Sequence, residues 1–141
     1  MEGQAAVVTA AVLANPEAFA NAAKTTVEAM GGMIDNVDKA IGAIERARGL
    51  ITGSVSGHAY IINLSAKEYT WYTYNDASPF KFNTQFRSYM GAYATVDVHT
   101  LGWGAMAVFK DNKKPQFTVQ RNNVYLFDGK NLSHFFNAEK K

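Results

Sequence analysis

Residues Gly57–Pro79 read GHAYIINLSAKEYTWYTYNDASP, and the fold turns on how they are understood. Two runs rich in Tyr, Ile, Trp and Thr flank a short polar break, Ser65-Ala66-Lys67. β-Branched and aromatic side chains suit a pleated, half-buried backbone, and the break is a turn signal, so the stretch predicts a β-hairpin. Along its second run Tyr69, Trp71 and Thr73 fall on one face, with Thr70, Tyr72 and Tyr74 on the other. A strand with aromatics on both faces has one side for a core and one to spare.

Working outward, the chain changes character at this stretch. Residues 1–56 hold 13 alanines and a single aromatic, Phe19, whereas the other 17 aromatics lie between Tyr60 and Phe136. Alanine-rich sequence favours helix and aromatic-rich sequence favours sheet. Asn15-Pro16-Glu17 starts a helix with an N-cap, a first-turn proline and an acid at the positive end. It runs to about Met30, where Gly31-Gly32 stops it and supplies a hinge. A second helix fits Asp35 to Leu50 by the spacing of Val37, Ile41, Ile44 and Ala47, and residues 4–14 allow an earlier one. Ile51–Ser56 reads as a linker.

Beyond Pro79, Phe80, Phe82 and Phe86 alternate loosely in an exposed-looking segment. Strands fit Ala92–Thr100, with Val96 and Val98 inward, and Gly104–Phe109. Gln116–Gln120 and Asn123–Phe127 read as the next pair, and Asn131–Glu139 as a short terminal helix or strand. The fold class that results is α+β: a β-sandwich of about six to eight short antiparallel strands after two or three N-terminal α-helices. Residues 1–56 form the helical segment and 57–141 the aromatic-rich sandwich, within one folded unit.

Composition narrows the function. The 141 residues contain no cysteine, which removes disulfides, thiolate metal sites and cysteine nucleophiles. Residues 1–56 carry a balance of −2 and residues 57–141 one of +4, without the dense basic stripe of a nucleic-acid binder. Acidic Glu2 stands where a secretory signal wants a basic region, and the apolar run Ala5–Ala14 is too short to span a bilayer. His58, His99 and His134 are too widely spaced for a metal motif, and Asp97 has no nearby carboxylate in the sequence to complete an acid–base pair. Gly102-Trp103-Gly104-Ala105-Met106-Ala107 fits a dinucleotide fingerprint in letters only, because strands lie on both sides of it. Neither catalysis nor a cofactor is expected, and no metal site.

Aromatics in excess of core needs carry the functional expectation. Tyr69, Trp71, Tyr72, Tyr74, Phe80, Phe82, Phe86, Tyr89 and Tyr93 crowd one region. Such side chains fill cores, but they also suit membrane interfaces, sugar stacking and cation–π cages. The expected partner is therefore a membrane lipid or a glycan, with no nucleic acid. The small-residue stripe of 15–30 also allows a helix that detaches or that builds a homo-oligomer.

Ala59–Ser78, with its turn at Asn63–Lys67 and the aromatic strand after it, resembles the first strands of actinoporins. Phe109 through Asn123–Lys130 is similar to their membrane-binding loop and the strand leaving it, and Lys24–Gly31 to the end of their pore-lining helix. The resemblance implies a pore-forming cytolysin: a β-sandwich with a mobile N-terminal amphipathic helix that binds phosphocholine headgroups. On it, Ser78 fits the headgroup serine and Phe117 one loop aromatic, while Phe135 and Phe136 stand in for the tyrosines that follow. The loop's other aromatic positions fall on Thr118, Arg121 and Asn122. The candidate ligand-binding residues are thus Trp71, Tyr72, Tyr74, Ser78, Phe80, Phe82, Phe117, Phe135 and Phe136, with Gly31 and Gly32 as the helix hinge. The alternative is a soluble lectin-like or protein-interaction module whose helices serve packing.

Overall fold

The structure, a computed structural model, describes residues 8–52, 58–75, 84–99, 105–108 and 117–138; at 71–75, 84–88, 99, 105–108 and 117–118 it describes the backbone alone. Three helices lead. α1 (Ala10–Ala14) is capped by Thr9, whose Oγ1 accepts from the Val12 amide. α2 (Pro16–Met30) begins as the sequence predicts, with the Asn15 side chain accepting from the Ala18 amide at 3.0 Å. It stops at Gly31, whose φ of 63° and ψ of −136° are closed to residues with side chains. A single 3-10 turn (Gly31–Met33) leads to α3 (Val37–Thr52), where Asn36 accepts from the Lys39 amide. α3 also takes in Ile51, which the sequence assigns to a linker; the reason is apolar, because Ile51 is fully buried. Arg48 of α3 donates to the carbonyls of Leu13 and Ala14, satisfying the end of α1.

The strands follow: β1 (His58–Asn63), β2 (Tyr69–Asn75), β3 (Thr84–Met90), β4 (Thr95–His99), β5 (Ala105–Val108), β6 (Phe117–Val119), β7 (Asn123–Phe127) and β8 (Leu132–Asn137). The α+β content expected from the sequence is present, helices first and sheets after. One sheet has the order β4-β1-β7-β8 and the other β3-β2-β5-β6.

Four expectations are corrected. β1 and β2 do not form a hairpin, because they lie in different sheets. β1 pairs antiparallel with β4 and parallel with β7, so the sheet is mixed and not purely antiparallel. β6 and β7 do not pair: β6 joins β5, and β7 lies between β1 and β8. The segment of Phe86, to which the sequence reading gives no strand, lies in β3, which pairs with β2.

One fact explains the first two corrections. Ala59, Tyr60, Ile61, Ile62 and Asn63 are all buried, so β1 is covered on both faces and belongs inside a sheet, where parallel pairing is at home. Both of its edges are taken, by β4 and β7, and β2 must leave. Tyr60 and Ile62 share a core with Phe19, Ala23 and Val27 of α2 and Ala40, Ala43, Ile44 and Ala47 of α3. Ala59 and Ile61 belong to a second core with Val96, Val98 and Phe127, which Met90 of β3 and Val119 of β6 complete from the other sheet. β7 splits the same way, Val124 and Leu126 toward the helices, Tyr125 and Phe127 toward the second core.

The chain changes sheets at a fixed corner. Asn63 is fully buried, and its side-chain amide donates to the carbonyls of Lys67 at 2.8 Å and Gly91 at 2.9 Å. Its oxygen accepts from the Ser65 amide at 3.0 Å and from the Ser65 hydroxyl at 2.8 Å. Both donors and both lone pairs are used, the full capacity of the group. Backbone bonds from Leu64 to Phe127 and from Tyr93 to Ser65 tie the corner to β7 and to the β3–β4 turn.

Replacing Asn63 should therefore be severe. Asn63→Ala removes four hydrogen bonds from the buried corner, leaves the Ser65 amide without its acceptor, and should cost about 3 kcal/mol. Asn63→Asp keeps the shape but sets an oxygen against two carbonyls, and should cost as much. Chemical denaturation measures both, and either variant unfolding at the parent midpoint would show that the corner is held by something else.

Candidate functional site

Three turns that are far apart in the sequence meet at one cleft of about 420 Å³. The segment between α2 and α3 contributes Gly32, Met33 and Asp35; the Asn63 corner contributes Ser65 and Lys67, with Tyr69 at the start of β2. The β7–β8 turn contributes Asp128, Gly129 and Lys130. Tyr69 stands edge-on to Phe127, ring centroids 4.9 Å apart, and its hydroxyl donates to the Gly129 carbonyl at 3.5 Å. Asp128 shapes its own turn: Oδ1 accepts from the amides of Lys130 and Asn131, both at 2.8 Å. Gly129, at φ 107°, gives the turn a backbone that a side chain would strain. The other Asp128 oxygen is buried and accepts from no described residue.

The lining offers two ammonium groups, two carboxylates, a phenol and a hydroxyl. Such a set can hold a zwitterion or a polyol through charge-assisted and neutral hydrogen bonds. Met33, 47% exposed, adds an apolar side chain at the same cavity.

None of the residues expected to bind a ligand is among the described residues that line this cleft. Trp71, Tyr72 and Tyr74 lie on β2, in register with Ser88, Arg87 and Thr84 of β3. Phe117 lies on β6 opposite Ala107 of β5. Ser78, Phe80 and Phe82 lie outside the described residues. Phe135 and Phe136 are corrected from ligand contacts to core: both are buried and their ring centroids lie 6.4 and 6.3 Å from that of Phe19. The reason is the register of β8, which turns them toward the helices to close the core around α2. Of the hinge pair, Gly31 ends α2 and Gly32 lines the cleft.

The sequence missed the cleft because no single segment carries it. Ser65-Ala66-Lys67 was legible as a turn, but Tyr69 and Gly129 are 60 residues apart and nothing local brings them together. It also missed a hydrogen bond between His58 Nδ1 and Asp97 Oδ1 at 2.6 Å, made when β4 pairs with β1. Among the described residues no group of acids and histidines is arranged to hold a metal ion. Neither known protein families, nor curated proteins, nor solved structures give a match to this chain.

Among the described residues, Tyr89 is the openly displayed aromatic. Tyr89 of β3 is 64% exposed and stands in register with Thr70 of β2. The Glu68 carboxylate accepts from its hydroxyl and holds the phenol above its ordinary value of 10.0, since ionisation would break the bond and oppose two anions. Tyr89 should keep its proton to higher pH than a free phenol, and Glu68→Gln should return it toward 10.0. Ring-proton shifts followed by NMR against pH would check this; identical titrations in parent and variant would exclude the contact.

Proposed function

We propose that this chain binds membrane surfaces, seating a phospholipid or glycolipid headgroup in the cleft between its three turns. The observation that carries the proposal is a polar cavity with an apolar edge: exposed Met33 lines the same cleft as Lys67, Lys130, Asp35 and Asp128. Val37, 41% exposed, follows four residues along. An apolar side chain that enters the acyl boundary beside a pocket for the headgroup suits an interfacial binder. The orphaned Asp128 oxygen gives the same turn spare acceptor capacity.

The finer architecture belongs to the same proposal. The two sheets make a β-sandwich over the core of Ala59, Ile61, Val98, Phe127, Met90 and Val119, with the helices on the outer face of the β1 sheet. In that arrangement the chain is an actinoporin-like cytolysin in outline, and α2 is the segment that redeploys. No described helix is long and apolar enough to cross a membrane. At 15 residues α2 is about 22 Å long, a length for lying in the interface. Its anchors are firmer than the alanine-rich sequence suggests, since Phe19 sits in a three-ring cluster with Phe135 and Phe136. In water, release would expose those rings at a cost of several kcal/mol, on the order of 2 for each. At a bilayer the stripe passes from one apolar phase to another, pivoting at Gly31-Gly32. The rings it uncovers would then favour assembly into a homo-oligomer.

A soluble glycan-binding module is the second reading, and the display of Tyr89 favours it. Co-sedimentation with vesicles of phosphatidylcholine, with and without phosphatidylserine or glycolipid, separates the two. We expect binding that weakens less than about tenfold from low to physiological salt, and that Met33→Ser weakens about tenfold. A hundredfold loss with salt would mark a charge-held binder and contradict the apolar edge. The absence of binding to every vesicle, beside binding to soluble glycans, would install the second reading.

A further inference from the structure

A second groove lies elsewhere on α3 and shares no residue with the cleft. Lys39, Gly42 and Arg46 follow one another at three- and four-residue intervals, which places them on one face of the helix. Facing them is the β3–β4 turn with Ala92 and Tyr93, and the open space between measures about 480 Å³. Asp38 completes the lining.

Tyr93 is held in a costly conformation. Its φ is 57°, in the left-handed region that bulky residues avoid. Its amide donates to the Ser65 carbonyl at 3.2 Å, and its own carbonyl accepts from Arg46 Nη2 at 3.3 Å. Lys39 Nζ stands 5.7 Å from the centre of its ring, within cation–π range. Gly42 leaves the room in which the guanidinium lies, because a Cβ there would come within 3.2 Å of Arg46 Nη1. Among the described residues neither Lys39 nor Arg46 has a carboxylate at pairing distance. Two cations are thus positioned around a groove, one by a strained tyrosine and the other by its ring, and among the described residues neither is in an ion pair, although the Asp38 carboxylate shares the lining.

We infer that this groove binds a phosphate ester. Arg46 and Lys39 would donate to the phosphate oxygens, and the Tyr93 ring would flank the organic part of the ligand. Asp38, the one acid in the lining, suits a single anionic group over a polyanion. The inference stands apart from the membrane proposal, since the cleft residues Lys67 and Lys130 take no part in it.

The test is amide NMR titration of the full chain with glycerol 3-phosphate and with inorganic phosphate, beside sedimentation with phosphatidylcholine vesicles with and without phosphatidate. We expect saturable shifts at Lys39, Arg46 and Tyr93, with Lys39→Gln and Arg46→Gln each weakening binding about tenfold. Gly42→Ala should weaken it several-fold with Tm at or above that of the parent, because alanine is the better helix former and only the guanidinium must move. Lys67→Gln with Lys130→Gln should leave the shifts that glycerol 3-phosphate causes at Lys39, Arg46 and Tyr93 unchanged, which separates the groove from the cleft. Preference for phosphatidate vesicles over glycerol 3-phosphate would name a lipid headgroup as the source; equal response to inorganic phosphate would name the phosphate alone. No saturable shift with any of the three, or parent-like binding in both Arg46→Gln and Gly42→Ala, would overturn the inference.

Discussion

The buried amide of Asn63 is the constraint on which the rest depends. A polar side chain with no exposure is tolerable only when each of its hydrogen-bonding groups is used, and here all four are. Its partners belong to three different pieces of chain: its own corner, the loop at Lys67 and the turn at Gly91. The bonds therefore fix where β1 ends, how the chain leaves for the other sheet, and where β3 hands over to β4. Shifting β1 by one residue would carry Asn63 away from those partners and exchange the two buried faces of the strand at once.

That corner also places what we take to be functional. Ser65 both bonds Asn63 and lines the cleft, and its carbonyl holds Tyr93 beside the second groove. The helices enter from the other side. α2 and α3 pack on Tyr60, Ile62, Val124 and Leu126, so the Gly31–Asp35 connection reaches the β7–β8 turn only because the sheet presents those residues in register. Two polar hollows thus depend on one apolar arrangement. Their charges are few, and position gives them whatever specificity they have.

Local signals were legible in the sequence wherever the cause was local. The cap at Asn15, the proline after it and the stop at Gly31 fixed α2 to the residue, and inward Val96 and Val98 were plain from alternation. Pairing was not legible, because the polar break at Ser65-Ala66-Lys67 looks the same whether the chain folds back or crosses to another sheet. What could have warned of the crossing was β1 itself: four successive apolar residues, Ala59 to Ile62, suit an interior strand better than one arm of an exposed hairpin. Phe135 and Phe136 misled for a related reason. They were matched to the tyrosines of the actinoporin resemblance, which carries no information on pairing, and only the shift in the β7–β8 register between Val124 and Tyr125 shows how both come to be buried.

The crossing at Asn63 is tested most directly by interstrand nuclear Overhauser contacts in the labelled protein. The account predicts backbone contacts of Ile61 with Tyr125 on one side and with Val96 on the other, and none between Ile61 and β2. A ladder of contacts running from β1 directly into β2, as in a hairpin, would contradict it.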